Sequence, residues 1–168
     1  MLNPIAAPDA LSAAAEPLLD LLQDCNHEPF IELLHVVPVT GMTPGTDRMQ
    51  GLAQAVHDAG GWGSGYQVGA PILPLASPRA WRDILHRQVT KGFMQPPKTE
   101  FVPNPRTPDE IRQAGELADG LADLIEAHLG PVRSCGDVGG PHSYCIWWRN
   151  LLLVTDSWAT ILHLAISD

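Results

Sequence analysis

Positive charge is scarce in this sequence. Ten Lys and Arg residues stand against nineteen Asp and Glu residues, which leaves a formal net charge of −9 over 168 residues. A nucleic-acid partner requires a cationic surface that neutralises phosphates, so this balance argues against one and favours a basic protein partner. The charge is also uneven along the chain. Residues 1–78 carry eight acids and one base, residues 79–106 six bases and two acids, and residues 107–168 nine acids and three bases.

Cysteine and long apolar runs are scarce as well. Cys25, Cys135 and Cys145 are odd in number, which is typical of thiols in a reducing cytosol. The first eight residues lack the cationic start of a signal peptide. The longest apolar stretch, residues 146–166, contains Arg149, Asn150, Asp156 and His163. We therefore predict a cytoplasmic protein with no membrane partner.

Known catalytic motifs are absent from the sequence. There is no serine-hydrolase elbow, no metalloprotease helix, no kinase sequence and no Walker lysine motif. The glycines at 63, 65 and 69 are followed by Pro71 rather than by a helix N-terminus that would bind phosphate. We therefore predict no cofactor and no catalytic residue.

A metal- or cysteine-dependent hydrolase is the alternative function. Cys135, His142 and Cys145 lie close in sequence and offer the thiolate and imidazole groups that zinc uses. Their spacing matches no common zinc motif. Cys145 is expected inside a strand, where burial raises a thiol pKa and makes the thiol inert.

The clearest predicted element is a helix over residues 107–129. Thr107 and Glu110 have the spacing of a capping box, and Pro108 takes the favoured first position. Apolar residues recur every three or four positions, so one side is expected to be buried. The opposite side carries Asp109, Glu116, Asp119, Asp123 and Glu126. We predict these five carboxylates as a partner-binding surface, provided that the basic residues of 79–106 do not neutralise them.

The remaining pattern predicts a single α+β domain over residues 1–168, with helices packed on a C-terminal antiparallel β-meander. Residues 143–149, 151–155 and 158–167 are expected as strands, separated by turns at Asn150 and at Asp156 and Ser157. A glycine-rich turn at residues 136–141 is expected before the first of these strands. Helices are expected near residues 8–24, bent or divided at Pro17, and also near 43–60 and 78–91. Residues 30–39 fit either a strand or a helix end.

Aromatic side chains add a second candidate feature. Trp147 and Trp148 are neighbours in a predicted strand, so one is expected in the core and the other on the opposite face of the sheet. The second ring is either covered by a helix or exposed as a binding hot spot. Trp62, in a glycine-rich segment, poses the same question. We include Trp62 and Trp148 among the predicted partner-binding residues.

The run YCIWWRNLLLVTD at residues 144–156, followed by residues 159–167, resembles bacterial immunity proteins. That family neutralises the C-terminal toxin domains of contact-dependent growth inhibition and related polymorphic toxin systems. The resemblance implies a cytoplasmic toxin inhibitor, not an enzyme, that binds a basic, nuclease-type cognate toxin domain by presenting carboxylates in place of phosphates. It carries over no individual site residue.

Overall fold

The structure is a computed structural model that describes residues 2–23, 28–39, 48–60, 68, 72–94, 106–139 and 147–167, apart from the side chains of Trp147 and Ser167. The helices are α1 (Ala7–Leu22), α2 (Arg48–Ala59), α3 (Ala80–Arg87) and α4 (Pro108–Leu129). The strands are β1 (Glu28–Leu33), β2 (Val37–Pro38), β3 (Leu73–Pro74), β4 (Ser134–Val138), β5 (Trp147–Val154) and β6 (Trp158–Ser167). A 3-10 turn, Pro4–Ala6, precedes α1, and a π-helical segment, Gln88–Phe93, continues α3.

The six strands of the described ranges form one antiparallel sheet in the order β1-β6-β5-β4-β3, and β2 also pairs with β6. The α+β class, with helices packed on a C-terminal antiparallel meander, is confirmed. The turn between β5 and β6 is closed by Thr155, whose Oγ1 accepts hydrogen bonds from the backbone N–H groups of Ser157 and Trp158. The predicted turn at Asp156 and Ser157 is therefore correct.

Two sequence expectations about the meander are wrong. Asn150 is not a turn residue, because it lies inside β5 and is paired in register with His163 of β6. Gly136, expected in a glycine-rich turn, lies inside β4 opposite Leu152. The meander therefore consists of β4, β5 and β6, while residues 143–146 of the predicted first strand lie outside the described ranges.

Both faces of the sheet are covered by helices. Leu151, Leu153 and Leu162 belong to a core shared with α1, α3 and α4, on what we call the helical side. Leu152 and Ile161 belong to a second core shared with α2, on what we call the α2 side. Alternate residues of a strand point to opposite faces. Burial on both faces explains why the middle of β5 is continuously apolar rather than alternating.

On the helical side, α1 and α4 lie antiparallel. The Leu2 N–H donates to the Ala127 carbonyl at 3.0 Å near the end of α4, whereas Arg106, just before α4, donates to the Gln23 carbonyl at 3.2 Å beyond the end of α1. The capping box of α4 is present, since Thr107 and Glu110 exchange side-chain and backbone hydrogen bonds. α1 continues through Pro17 as one helix. In the described part of the chain, no helix has the length and apolar character needed to cross a membrane.

Candidate functional site

The acidic side of α4 faces outward, as the sequence predicts. Asp109, Glu116, Asp119 and Asp123 are exposed, and Glu126 is half-buried. The buried stripe of α4 packs against the sheet and α1, so the helical period leaves these carboxylates on the solvent side. The five predicted partner-binding acids therefore share one surface of the molecule.

α3 lies beside this surface and neutralises part of it. Arg82 donates to Asp123 at 2.7 Å and to Glu126 at 2.6 Å, and the His86 Nδ1 atom lies 3.1 Å from Asp119. Burial alone would lower the pKa of Arg82, but hydrogen bonds to the two carboxylates outweigh it and raise that pKa. The expectation that the basic residues of 79–106 leave these carboxylates unpaired must therefore be corrected for Asp123 and Glu126. His86 offsets the charge of Asp119 only when its ring is protonated.

The other two acids pair within α4 itself. The Arg112 guanidinium lies 2.7 Å from Glu116 and 3.6 Å from Asp109, and all three side chains are more than half exposed. Pairs of this kind contribute little to stability because water solvates both partners well. A cationic partner can therefore displace Arg112 at small cost, whereas displacing the less exposed Arg82 costs more.

The sequence analysis missed a second row of carboxylates, on α1. Asp9, Glu16 and Asp20 are all exposed. Their spacings of seven and four residues place them on one side of the helix. Within the described ranges, no Lys, Arg or His nitrogen lies within ion-pair distance of any of them. The helical spacing could have revealed this row, but only the packing of α1 beside α4 joins it to the predicted acidic surface.

The predicted tryptophan anchors do not join this surface. Trp148 is half-buried and lies opposite Ala165 in β6, on the α2 side of the sheet. The acids of α1 and α4 lie over the opposite face. Trp62 and the side chain of Trp147 lie outside the part of the chain that the structure describes. Trp148 therefore belongs to a different surface from the carboxylates.

A row of polar side chains crosses the α2 side of the sheet. Asn150 and His163 are almost fully buried, and the His163 Nδ1 atom lies 2.6 Å from the Asn150 Oδ1 atom. Glu32 of β1 is directly opposite His163 in the register of β1 and β6. Burial raises the pKa of the Glu32 carboxyl above its ordinary value of 4.5. Hydrogen bonding of this kind satisfies polar groups that would otherwise destabilise a core.

Cys135 is separated from this row by the sheet. It lies opposite Leu153 on the helical side, is 3% exposed, and its Sγ atom lies 3.4 Å from the Ser77 carbonyl oxygen. Burial raises the pKa of the Cys135 thiol, which makes it a poor nucleophile and a poor metal ligand. His142 and Cys145 lie outside the described residues. Among the residues that are described, no three His, Cys, Asp or Glu side chains are grouped to hold a metal ion.

Comparison with known proteins gives no match: no protein-family model, curated protein or solved structure is similar to the chain. Function must therefore be inferred from the surface and the buried groups themselves.

Proposed function

We propose that this protein is an immunity protein, a stoichiometric inhibitor that binds a basic, nuclease-type toxin domain in the cytoplasm. The observation that carries the proposal is the pair of acidic rows on α1 and α4. Among the described residues, Asp9, Glu16 and Asp20 of the first row have no cationic partner, and Asp109 and Glu116 of the second row are paired only with exposed Arg112.

Electrostatics supports a cationic macromolecule as the partner. A protein with a net charge of −9 attracts basic protein surfaces, although salt limits this attraction to about one Debye length. Where the negative charges are concentrated on one face, that face is the one that a basic partner approaches first. Complementary charge chiefly raises the association rate and selects the partner. An inhibitor that must capture a toxin quickly benefits from both effects.

The relation between the two rows suggests which part of the surface contacts the toxin first. α1 runs antiparallel to α4, so Glu16 and Asp20 lie toward the end where α4 begins. The Arg82 and His86 pairs lie toward the other end of α4. We place the main contact on the end away from Arg82, formed by Glu16, Asp20 and Asp109. Among the described residues, the cations at that end are Arg112, which is exposed, and Arg106, which lies beside Glu110 and donates to the Gln23 carbonyl.

The proposal predicts that a neighbouring gene encodes a large secreted protein, and the test uses the C-terminal domain of that protein. Binding to that purified domain is measured for the wild type, for Glu16→Gln/Asp20→Asn, and for the control Glu28→Gln/Asp58→Asn. Both double variants remove two negative charges from exposed residues, but Asp58 lies on α2, across the sheet from the acidic rows. We expect about tenfold weaker binding for the first variant, equivalent to about 1.4 kcal/mol, and a small change for the control.

Two results would contradict the proposal at different levels. Equal weakening in both double variants would show that only overall charge matters and would remove the assigned surface. No complex with the neighbouring domain, together with no protection of cells that express it, would remove the immunity role.

A further inference from the structure

A cavity of about 220 Å³ opens at the end of the sheet where α2 begins. Met49 and Leu52 of α2 form one wall, and Ser134 of β4 and Val154 of β5 form the other. Leu52 is fully buried and Val154 nearly so, which makes the bottom of the cavity apolar. Pockets for drug-sized ligands usually measure about 300–1,000 Å³, so this cavity suits a smaller molecule.

Two guanidinium groups stand at the rim of the cavity. Arg48, the first residue of α2, is exposed and has no carboxylate within ion-pair distance in the described ranges. Arg133 binds the Asp156 carboxylate through Nε and Nη2, at distances of 2.9 to 3.2 Å. Nη1 of Arg133 is not used in that pair. Among the described residues, two positive charges and one negative charge therefore meet here, in a chain whose net charge is −9.

The charge balance and geometry favour a carboxylate as ligand. A guanidinium matches the two oxygens of a carboxylate, and the first turn of a twelve-residue helix adds a positive partial charge. Arg48, Arg133 and Asp156 together carry one net positive charge, which a single carboxylate balances, whereas a phosphate dianion would leave the site with a net negative charge. The Ser134 side chain shares the face of Val154, and its hydroxyl makes no hydrogen bond within the described ranges, so it can donate one to a ligand.

We propose that this cavity binds a carboxylate that carries a short apolar group, with the carboxylate between Arg48 and Arg133 and the apolar group against Leu52 and Val154. The source of that carboxylate is a small organic acid or the C-terminus of a peptide with an apolar last residue. The site is on the α2 side of the sheet. It is therefore independent of the acidic surface proposed to bind a toxin.

Calorimetric titration with 4-methylpentanoate tests the proposal. The control ligand is 4-methylpentanamide, which has the same apolar group but no negative charge. We expect the acid to bind with a dissociation constant of about 1 mM or lower and the amide at least about tenfold more weakly. A second arm compares a pentapeptide ending in leucine with its C-terminally amidated form. Tighter binding of the free-carboxylate peptide than of 4-methylpentanoate assigns the source to a chain terminus, and the reverse order assigns it to a small acid.

Two arginine variants distinguish binding in the cavity from a general effect of positive charge on the protein. Arg48→Gln should weaken binding of 4-methylpentanoate about tenfold, whereas Arg87→Gln, which removes an exposed arginine on the helical side, should leave it unchanged. Circular dichroism checks that both variants fold. Equal affinity for acid and amide, equal effects of the two variants, or no binding of either acid or peptide would overturn the proposal.

Discussion

Arg82 and Glu126 meet at 2.6 Å between Nη2 and Oε2, and this ion pair joins α3 to the last turn of α4. Each side chain is only about a quarter exposed, at 28% and 27%. The same guanidinium also reaches the more exposed Asp123. Arg82 therefore holds α3 against α4 and neutralises two carboxylates of the acidic surface, those of Asp123 and Glu126.

Arg82→Gln should destabilise the protein by about 1–2 kcal/mol, because Glu126 then loses a charged hydrogen bond in a partly desolvated position. Urea denaturation measures the change. Arg112→Gln is the control, since Arg112 makes exposed pairs on the same surface and its loss should leave stability nearly unchanged. Similar losses in the two variants would show that the partial burial of Arg82 adds nothing.

The buried pair of Asn150 and His163 predicts a strong energetic coupling. Asn150→Leu and His163→Leu should each cost about 2 kcal/mol or more, because each removes a buried hydrogen bond from the other polar group. The double variant should cost less than the sum by about 1–3 kcal/mol. A complete double-mutant cycle in urea measures this coupling, and simple additivity would exclude it.

Two glycines of α4 should respond to alanine in opposite ways. A Cβ atom at Gly120 meets nothing within 4 Å, so Gly120→Ala should stabilise the protein by about 0.5–1 kcal/mol through helix propensity. A Cβ atom at Gly115 would lie 2.8 Å from Cε1 of His86 and 3.3 Å from Cγ2 of Thr90. Gly115→Ala should therefore cost about 1–2 kcal/mol, because it displaces the His86 ring and crowds the buried Thr90 side chain. Thermal or urea unfolding that gives both changes the same sign would contradict this packing.

Glu32 should make stability depend on pH in a defined direction. Its pKa is raised in the folded state, so the folded protein holds the proton more tightly than the unfolded chain. The stability that this tighter proton binding contributes is fully present at a pH below the Glu32 pKa of the unfolded chain. It is lost as the pH rises through the Glu32 pKa of the folded protein. Glu32→Gln should therefore gain stability relative to the wild type between pH 4 and pH 7. A constant difference in stability between Glu32→Gln and the wild type across this range would refute the effect.

Local sequence signals predicted the elements that depend on neighbouring residues. The capping box at Thr107 and Glu110 and the apolar period define α4 because both act within a few turns of one helix. The apolar, β-branched run of β6 and the turn at Ser157 are local in the same sense. The composition alone determined the net charge of −9.

Predictions based on the turn preference of a single residue were wrong where contacts with residues distant in the sequence determine the conformation. Asn150 favours turns by itself, but in β5 its amide is held by His163 of the neighbouring strand. Gly136 suggests a loop, but a Cβ atom there would lie 2.8 Å from Cε of Met49 and 2.5 Å from Cγ2 of Ile72. The glycine therefore allows two other segments to pack closely on β4.

The sequence by itself determined which side chains are acidic, which helix carries more of them than any other described helix, and that an α+β fold would bury the C-terminal strands. Only the tertiary structure decided which carboxylates keep their charge unopposed, since Arg82 reaches Asp123 and Glu126 across 41 and 44 residues of chain. Coulomb energy depends on distance in space and on solvent exposure. Neither quantity can be read from the order of residues until the helices are packed.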